Sequence, residues 1–88
     1  MEYVYPAIFR ANDDGGYTIT YPDLPGCISE GKSIGNAMVM AQSALAQWME
    51  YLGDKKRAIP SASSPLDIKT GANEFMNLVR RKPKRDAL

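Results

Sequence analysis

The chain turns sharply at residues 21–27, which read Tyr-Pro-Asp-Leu-Pro-Gly-Cys. Each proline fixes φ and lacks an N–H donor, so neither belongs in the interior of a strand ladder. Gly26 can adopt the positive φ that a tight turn requires. We therefore predict a rigid corner that ends one strand, begins another, and presents Asp23 and Leu24 at its tip. Such a tip can contact a partner, although a purely structural corner would explain the same residues.

Two strands are predicted before this corner. Residues 3–10 alternate between two faces that are both largely apolar, so a helix or a partner is expected to cover more than one side. Pro6 predicts an edge or a bulge within that strand. Residues 17–21 alternate aromatic and β-branched side chains with threonine, which is typical of a strand. Between them, Asp13-Asp14-Gly15-Gly16 predicts a hairpin turn.

A short third strand, at about residues 27–30, and one amphipathic helix, from about Ile34 to Leu52, are predicted after the corner. Ser33 is placed to cap the helix and Gly53 to end it. The apolar stripe of this helix contains Ile34, Met38, Ala41, Leu45, Trp48 and Leu52, widened by Ala37, Ala44 and Met49.

The C-terminal part is less regular. Residues 58–73 contain prolines, serines and a glycine without a sustained period, which indicates a loop. Residues 74–80 fit a helix or a strand, and we favour a strand because a three-stranded sheet gains from another. The expected fold class is α+β, a small antiparallel sheet with one packed helix in β-β-β-α-β order. This domain is expected over residues 1–80, followed by a basic tail at residues 81–88.

Size and composition indicate one soluble globular domain. The chain has 88 residues, of which 44% are hydrophobic and 24% are charged. A domain this small has a marginal core and unpaired sheet edges, so we expect homo-oligomerisation, most simply a dimer. Cys27 is the single cysteine, which excludes an internal disulfide. The first residues carry no signal-peptide pattern and no apolar run is long enough for a membrane span, so a cytoplasmic protein is expected.

The charge is divided unevenly along the chain. Residues 1–79 carry six Lys or Arg and nine Asp or Glu, a net charge of −3. Residues 80–88 carry five Lys or Arg and one Asp, a net charge of +4. An acidic body suits a basic protein partner. A basic tail suits nucleic acid or an acidic surface, or serves only as a solvated terminus.

The residue types exclude several kinds of catalysis. There is no histidine, which removes His-based triads, His-ligated zinc and His acid–base chemistry. One cysteine without histidine makes a cysteine nucleophile improbable. Asp13 and Asp14 could bind a cation, but a turn explains them more simply. We predict no catalysis, no cofactor and no metal site.

The motifs together resemble the HicB antitoxin family. The resemblance rests on Tyr5-Pro6-Ala7, Asp13-Asp14-Gly15-Gly16-Tyr17, the corner at residues 21–27, and Ile59-Pro60-Ser61-Ala62-Ser63, with an alanine-containing helix after the corner. It covers roughly residues 3–80. The resemblance implies a partly degraded ribonuclease-H-like fold of β-β-β-α-β order. It also implies neutralisation of a small mRNA-cleaving HicA toxin by covering the toxin's active site.

The chain departs from the family pattern at its C-terminal end. Many family members carry a helix-turn-helix or ribbon-helix-helix module there, and the residues after Arg80 are too few for one. Loss of nuclease chemistry is expected as well, because a ribonuclease-H site needs several carboxylates around divalent ions. The strand at residues 3–10 has no carboxylate, and the helix interior offers only Glu50.

Three functional hypotheses follow. The leading one is the antitoxin of a type II toxin–antitoxin system that binds and occludes a small basic HicA-type toxin. Its predicted partner-binding residues are Asp13, Asp14, Asp23 and Leu24. The alternative is a nucleic-acid-binding transcriptional regulator that uses Arg80, Arg81, Lys82, Lys84 and Arg85. The third is a small metal-dependent nuclease that depends on Asp13 and Asp23.

Overall fold

The computed structural model describes residues 3–81 and contains one antiparallel sheet and one long helix. The strands are β1 (Tyr3–Ala11), β2 (Tyr17–Thr20), β3 (Ile28–Gly31) and β4 (Glu74–Arg81), and the helix is α1 (Ile34–Asp54). A short 3₁₀ helix at Pro65–Asp67 precedes β4. The strands lie side by side in the order β3-β2-β1-β4. The predicted α+β class and β-β-β-α-β order are confirmed, and so is the choice of a strand for the last element.

Pro6 lies within β1, a strand that has neighbours on both sides. The Ala11 N–H donates to the Asn73 carbonyl at 2.8 Å, one residue beyond the β1–β4 register. Hydrogen-bonded and non-hydrogen-bonded pairs alternate along an antiparallel ladder, so Pro6 and Leu78 form a non-hydrogen-bonded pair. The nitrogen of Pro6 therefore faces the β2 side, where pairing reaches only as far as Ile8. The missing donor falls at a local edge, as predicted.

The core lies between α1 and one face of the sheet. Tyr5, Ala7 and Phe9 of β1 alternate onto this face and are buried, and Ile19 of β2 lies beside them. Phe75 of β4 stacks on Phe9, with a centroid distance of 4.9 Å and nearly parallel rings. Alternation along β1 thus selects which side chains the helix covers, although Pro6, which points to the other face, is buried as well.

The buried stripe of α1 differs from the predicted one at its start. Ile34 is 47% exposed, so its predicted place in the stripe is wrong. The stripe begins instead at Ala37, where β3 packs directly against the helix: a Cβ on Gly31 would lie 2.4 Å from the Ala37 Cα. The buried residues of the helix are Ala37, Ala41, Leu45, Met49 and Leu52.

The two ends of α1 show one confirmed and one wrong prediction. Ser33 caps the helix as predicted, with its Oγ accepting from the Asn36 N–H at 3.1 Å. Gly53 does not end the helix, which continues to Asp54. The left-handed position falls on Lys56, with φ of 53°. The Lys56 N–H bonds to the Gly53 carbonyl and the next N–H bonds back to Leu52, which is a Schellman ending built without glycine at the left-handed position.

Gly31→Ala is expected to destabilise the fold by roughly 1–3 kcal/mol or more, because the added methyl group would overlap the α1 backbone. Gly35→Ala is the matched control, since a Cβ there meets nothing within 4 Å. In the helix, alanine should raise the free energy of unfolding by about 0.5–1 kcal/mol. Urea unfolding of both variants measures the contrast, and equal stability of Gly31→Ala and the parent chain would contradict the close contact.

Candidate partner-binding surface

The corner at residues 21–27 is built from two consecutive tight turns. The Leu24 N–H donates to the Tyr21 carbonyl at 3.0 Å, and the Cys27 N–H donates to the Leu24 carbonyl at 2.9 Å. Each turn has a proline at its second position. In the second turn Gly26 has φ of 97°, as a type II turn requires at its third position. A Cβ on Gly26 would lie 3.1 Å from the Trp48 ring, so glycine also permits contact with α1.

Two side chains of the corner bind backbone carbonyls of α1. The Tyr21 hydroxyl donates to the Ala41 carbonyl at 2.6 Å, and the Cys27 Sγ lies 3.7 Å from the Ala44 carbonyl. Both side chains are buried. Buried hydroxyl groups generally find a partner in this way, and here the partner is one turn of the helix. The corner and the middle of α1 are therefore held together.

Burial also sets the acidity of these two groups. It raises the pKa of the Tyr21 hydroxyl well above its ordinary value, with a smaller contribution from the nearby Cys27. It raises the pKa of the Cys27 thiol to about 11. A thiolate is the reactive form of cysteine. Cys27 is thus protonated at neutral pH and has the character of a structural residue, not of a nucleophile.

The prediction that Leu24 is presented at the tip of the corner is wrong. Its side chain is 1% exposed and belongs to the hydrophobic core. The reason is the double turn, in which Leu24 closes one turn and opens the next, so that it faces inwards. The exposed positions of the corner are Pro22, Pro25 and Gly26. Leu24 has no surface in this structure with which to contact a partner.

Asp23 is half-buried and has partners within the chain. Its carboxylate accepts from the Ser63 N–H at 2.8 Å and from the Ser63 hydroxyl at 2.5 Å. Close by, the Tyr5 hydroxyl donates to the Pro60 carbonyl. Burial, followed by the charge of Asp23, raises the pKa of Tyr5. The loop after α1 is therefore tied to the corner and to β1.

The hairpin turn exposes Asp13 and Asp14. The Asp14 carboxylate accepts from the Gly16 N–H at 2.9 Å, and Gly15 has φ of 91°, so these residues form the predicted turn. This turn precedes β2 and the corner follows it, so Asp13 and Asp14 lie at the opposite end of that strand from Asp23. The four predicted partner-binding residues do not form one continuous surface.

An open depression of about 590 Å³ lies beside the hairpin turn. Asp14 and Glu30 line it with negative charge, and Lys32 adds one positive charge. The Lys32 N–H bonds to the Asn36 side chain at 2.8 Å, which fixes the entry into α1. Sequence reasoning did not place Glu30 or Asn36 at this surface. The pairing of β2 with β3 brings Glu30 next to the turn, and the packing of Gly31 against the start of α1 brings Asn36 there.

The residues of the nucleic-acid alternative are only partly described. Arg80 and Arg81 are exposed at the end of β4, and adjacent strand residues face opposite sides of a sheet. Lys82, Lys84 and Arg85 lie outside the described residues.

Within residues 3–81 there is no group of three or more His, Cys, Asp or Glu side chains placed to hold a metal ion. No helix in the same range is long and apolar enough to cross a membrane.

Residues 5–82 match the family model of the HicB-like antitoxin of bacterial toxin–antitoxin systems. The chain belongs to the HicB-like antitoxin family. The match includes the hairpin turn, the corner, α1 and β4, so the HicB-like motifs read from the sequence correspond to one folded unit.

Individual relatives show the same similarity. The chain is 32% identical over 60 residues to antitoxin HicB 2 of Photorhabdus laumondii, and 29% identical over 63 residues to antitoxin HicB of Escherichia coli K12. These alignments cover 68% and 72% of this chain, but 42% and 45% of those proteins. An uncharacterised protein of Haemophilus phage HP1 is 30% identical over 77 residues, 86% of this chain and 56% of its own. The chain thus spans about half the length of these relatives.

Solved structures share the fold. A toxin–antitoxin complex from Streptococcus pneumoniae contains a chain that superposes with a TM-score of 0.81 at 19% identity, covering 93% of this chain and 70% of that one. A chain of the HicA3 and HicB3 toxin–antitoxin complex superposes with a TM-score of 0.76 at 21% identity, covering 92% of this chain and 100% of that one. The HicB fold therefore extends over nearly the whole of this chain.

Asp23→Ala is expected to lower the free energy of unfolding by about 1–2 kcal/mol, because it removes the acceptor of both Ser63 hydrogen bonds. Ser63→Ala should cost less, since the backbone N–H bond remains. The double variant should be less destabilised than the sum of the two. Asp13→Ala, at an exposed aspartate of the hairpin turn, is the control and should change stability little. Additive effects in this cycle would contradict the Asp23–Ser63 link.

Stability should fall as the pH rises from about 9 to about 11, in part because of Cys27. In that range the unfolded chain releases the thiol proton while the folded chain retains it, so the unfolded state binds fewer protons. Cys27→Ala should reduce the steepness of the loss without abolishing it, since Tyr21 also has a raised pKa. Urea unfolding at several pH values gives the slope, and an unchanged slope would show that Cys27 does not contribute.

Proposed function

We propose that this protein is the antitoxin of a type II toxin–antitoxin system and that it binds and occludes a HicA-type mRNA-cleaving toxin. The observation that carries the proposal is the HicB-like match over residues 5–82, which includes the hairpin turn and the corner. The superposition on chains from two toxin–antitoxin complexes supports it. On this proposal the chain acts without catalysis of its own, in the cytoplasm, and as a homodimer.

The acidic hairpin surface, which we define as Asp13, Asp14 and Glu30, is the proposed contact for the toxin. All three carboxylates are exposed, and Asp14 and Glu30 face the same depression. A toxin that cleaves RNA needs cationic groups to hold phosphates, and an acidic surface is complementary to such groups. Asp23 lies outside this surface, at the other end of β2, and its carboxylate accepts both hydrogen bonds from Ser63.

Co-expression with the small basic protein encoded next to this gene is the test of the proposal. The expected result is restored growth and a complex that survives co-purification. A toxic neighbour that neither binds this chain nor is neutralised by it would overturn the antitoxin assignment. Salt-dependent binding to RNA or DNA, lost on removal of residues 80–88, would then favour the nucleic-acid alternative.

Asp13→Lys should weaken the toxin complex by roughly threefold or more, mostly by slowing association, because the surface then attracts a cationic partner less. Asp54→Lys is the control for net charge. Asp54 ends α1, a helix of 21 residues, so it lies about 30 Å from the start of the helix beside Gly31. Association rates measured by surface plasmon resonance distinguish the two positions. Equal weakening by Asp54→Lys would show that net charge matters and the hairpin surface does not.

A further inference from the structure

The two edges of the sheet are protected very differently. β3 exposes Ile28 at 63%, but it has only four residues and carries the charged Glu30, with Lys32 just beyond it. β4 has eight residues, contains no proline, and exposes the apolar Phe75 and Leu78 at 37% and 44%. Short, charged edges resist pairing with another chain, whereas long apolar edges favour it. The β4 edge is therefore the part of the described sheet best suited to receive another strand.

The backbone groups available on this edge follow from the β1–β4 ladder. Asn73 bonds to Ala11, so the odd-numbered residues of β4 face β1 and the even-numbered ones face outwards. At the ends of the strand two outward groups already have partners. The Glu74 N–H bonds to the Gly71 carbonyl at 3.2 Å, and the Arg80 carbonyl accepts from Gln42 at 3.3 Å. The outward groups between them belong to Met76 and Leu78.

From this pattern we infer that two copies of the chain pair antiparallel along β4, with Asn77 on the two-fold axis. In this register Met76 of each copy lies opposite Leu78 of the other, and both residues have outward-facing N–H and C=O groups. Arg80 lies opposite Glu74, and its free N–H reaches the Glu74 carbonyl. The hydrogen bonds from the Glu74 N–H to Gly71 and from Gln42 to the Arg80 carbonyl can remain when the two copies pair.

Charge complementarity selects this register. The side chains of Glu74 and Arg80 lie on the same face of β4, because both positions are even-numbered. With Asn77 on the axis, each Glu74 meets an Arg80, so the dimer contains two opposite-charge pairs. With Met76 on the axis, Glu74 would face Leu78 instead. With Leu78 on the axis, Arg80 would face Met76. A register shifted by one residue would place odd-numbered residues, whose N–H and C=O groups face β1, opposite even-numbered ones. The two strands could then form no ladder of hydrogen bonds.

The pairing also covers apolar surface. Met76 and Leu78 of the two copies meet on the sheet face opposite α1, and Phe75 meets Val79 on the α1 face. Two four-stranded sheets become one continuous sheet, and neither copy keeps an open β4 edge. This interface rests on the proposed homodimer and names the strand that forms it. It does not depend on toxin binding.

A charge-reversal pair tests both the strand and the register. Glu74→Arg alone and Arg80→Glu alone each place like charges opposite one another twice per dimer. Each should raise the dimer dissociation constant by roughly 10- to 100-fold. An equimolar mixture of the two single variants restores opposite charges at both junctions, so it should form heterodimers of about parental affinity. The double variant should self-associate like the parent. Sedimentation velocity of the full chain, over a range of concentrations, measures each of these.

Glu30→Arg applies the same charge change to the β3 edge and should leave association unchanged. A parent chain that stays monomeric at every concentration would overturn both the homodimer and its β4 interface. A parent dimer that the single variants do not weaken, or whose single variants do not recover on mixing, would leave the homodimer standing and overturn pairing in this register. Circular dichroism of each variant excludes loss of folding as the cause of weakened association.

Discussion

The packing of the corner at residues 21–27 against α1 is the constraint on which the other elements depend. The double turn sets the direction in which β3 leaves β2, and β3 is only four residues long. Tyr21 and Cys27 then fix the corner to the middle of α1, while Gly31 admits the start of the helix at Ala37. A strand this short, held at both ends, leaves α1 little freedom to rotate or slide over the sheet. The positions of α1 and of the core follow from that.

Because of this packing, the residues that hold the fold together differ from the residues proposed to bind a partner. Leu24 fills the core and Asp23 holds the loop at Ser63, so the corner is largely used in folding. The hairpin turn contributes less to holding the fold together. Its carboxylates project into solvent, and only Asp14 is used to close the turn. Exposed groups on a turn that is fixed by rigid strands lose little entropy when a partner binds, which favours their use in recognition.

Much of this fold could be predicted from local signals, and the failures share one cause. Period-two alternation and the Pro and Gly positions predicted the first three strands, and Ser33 marked the start of the helix. The fourth strand fitted a helix equally well by period and was chosen because a three-stranded sheet gains from another strand. The prediction that Gly53 ends α1 was wrong because the end of a helix depends on which residue adopts the left-handed conformation, and here that residue is Lys56. The prediction that Leu24 is exposed was wrong because a single turn would expose its side chain, whereas two consecutive turns bury it. The Asp23–Ser63 hydrogen bonds join residues 40 positions apart, and no local pattern of residue spacing predicts a contact over that separation.

The strand order gives the two proposed interactions separate places. In the order β3-β2-β1-β4, the acidic hairpin surface includes β3 and the turn before β2, whereas the dimer edge is β4. Two intervening strands, each about 4.8 Å from the next, separate these edges. A toxin at one edge and a second copy at the other therefore do not compete for the same backbone groups. Self-association would then set how many toxins one assembly holds, while the charges of the hairpin surface would set how tightly each is bound.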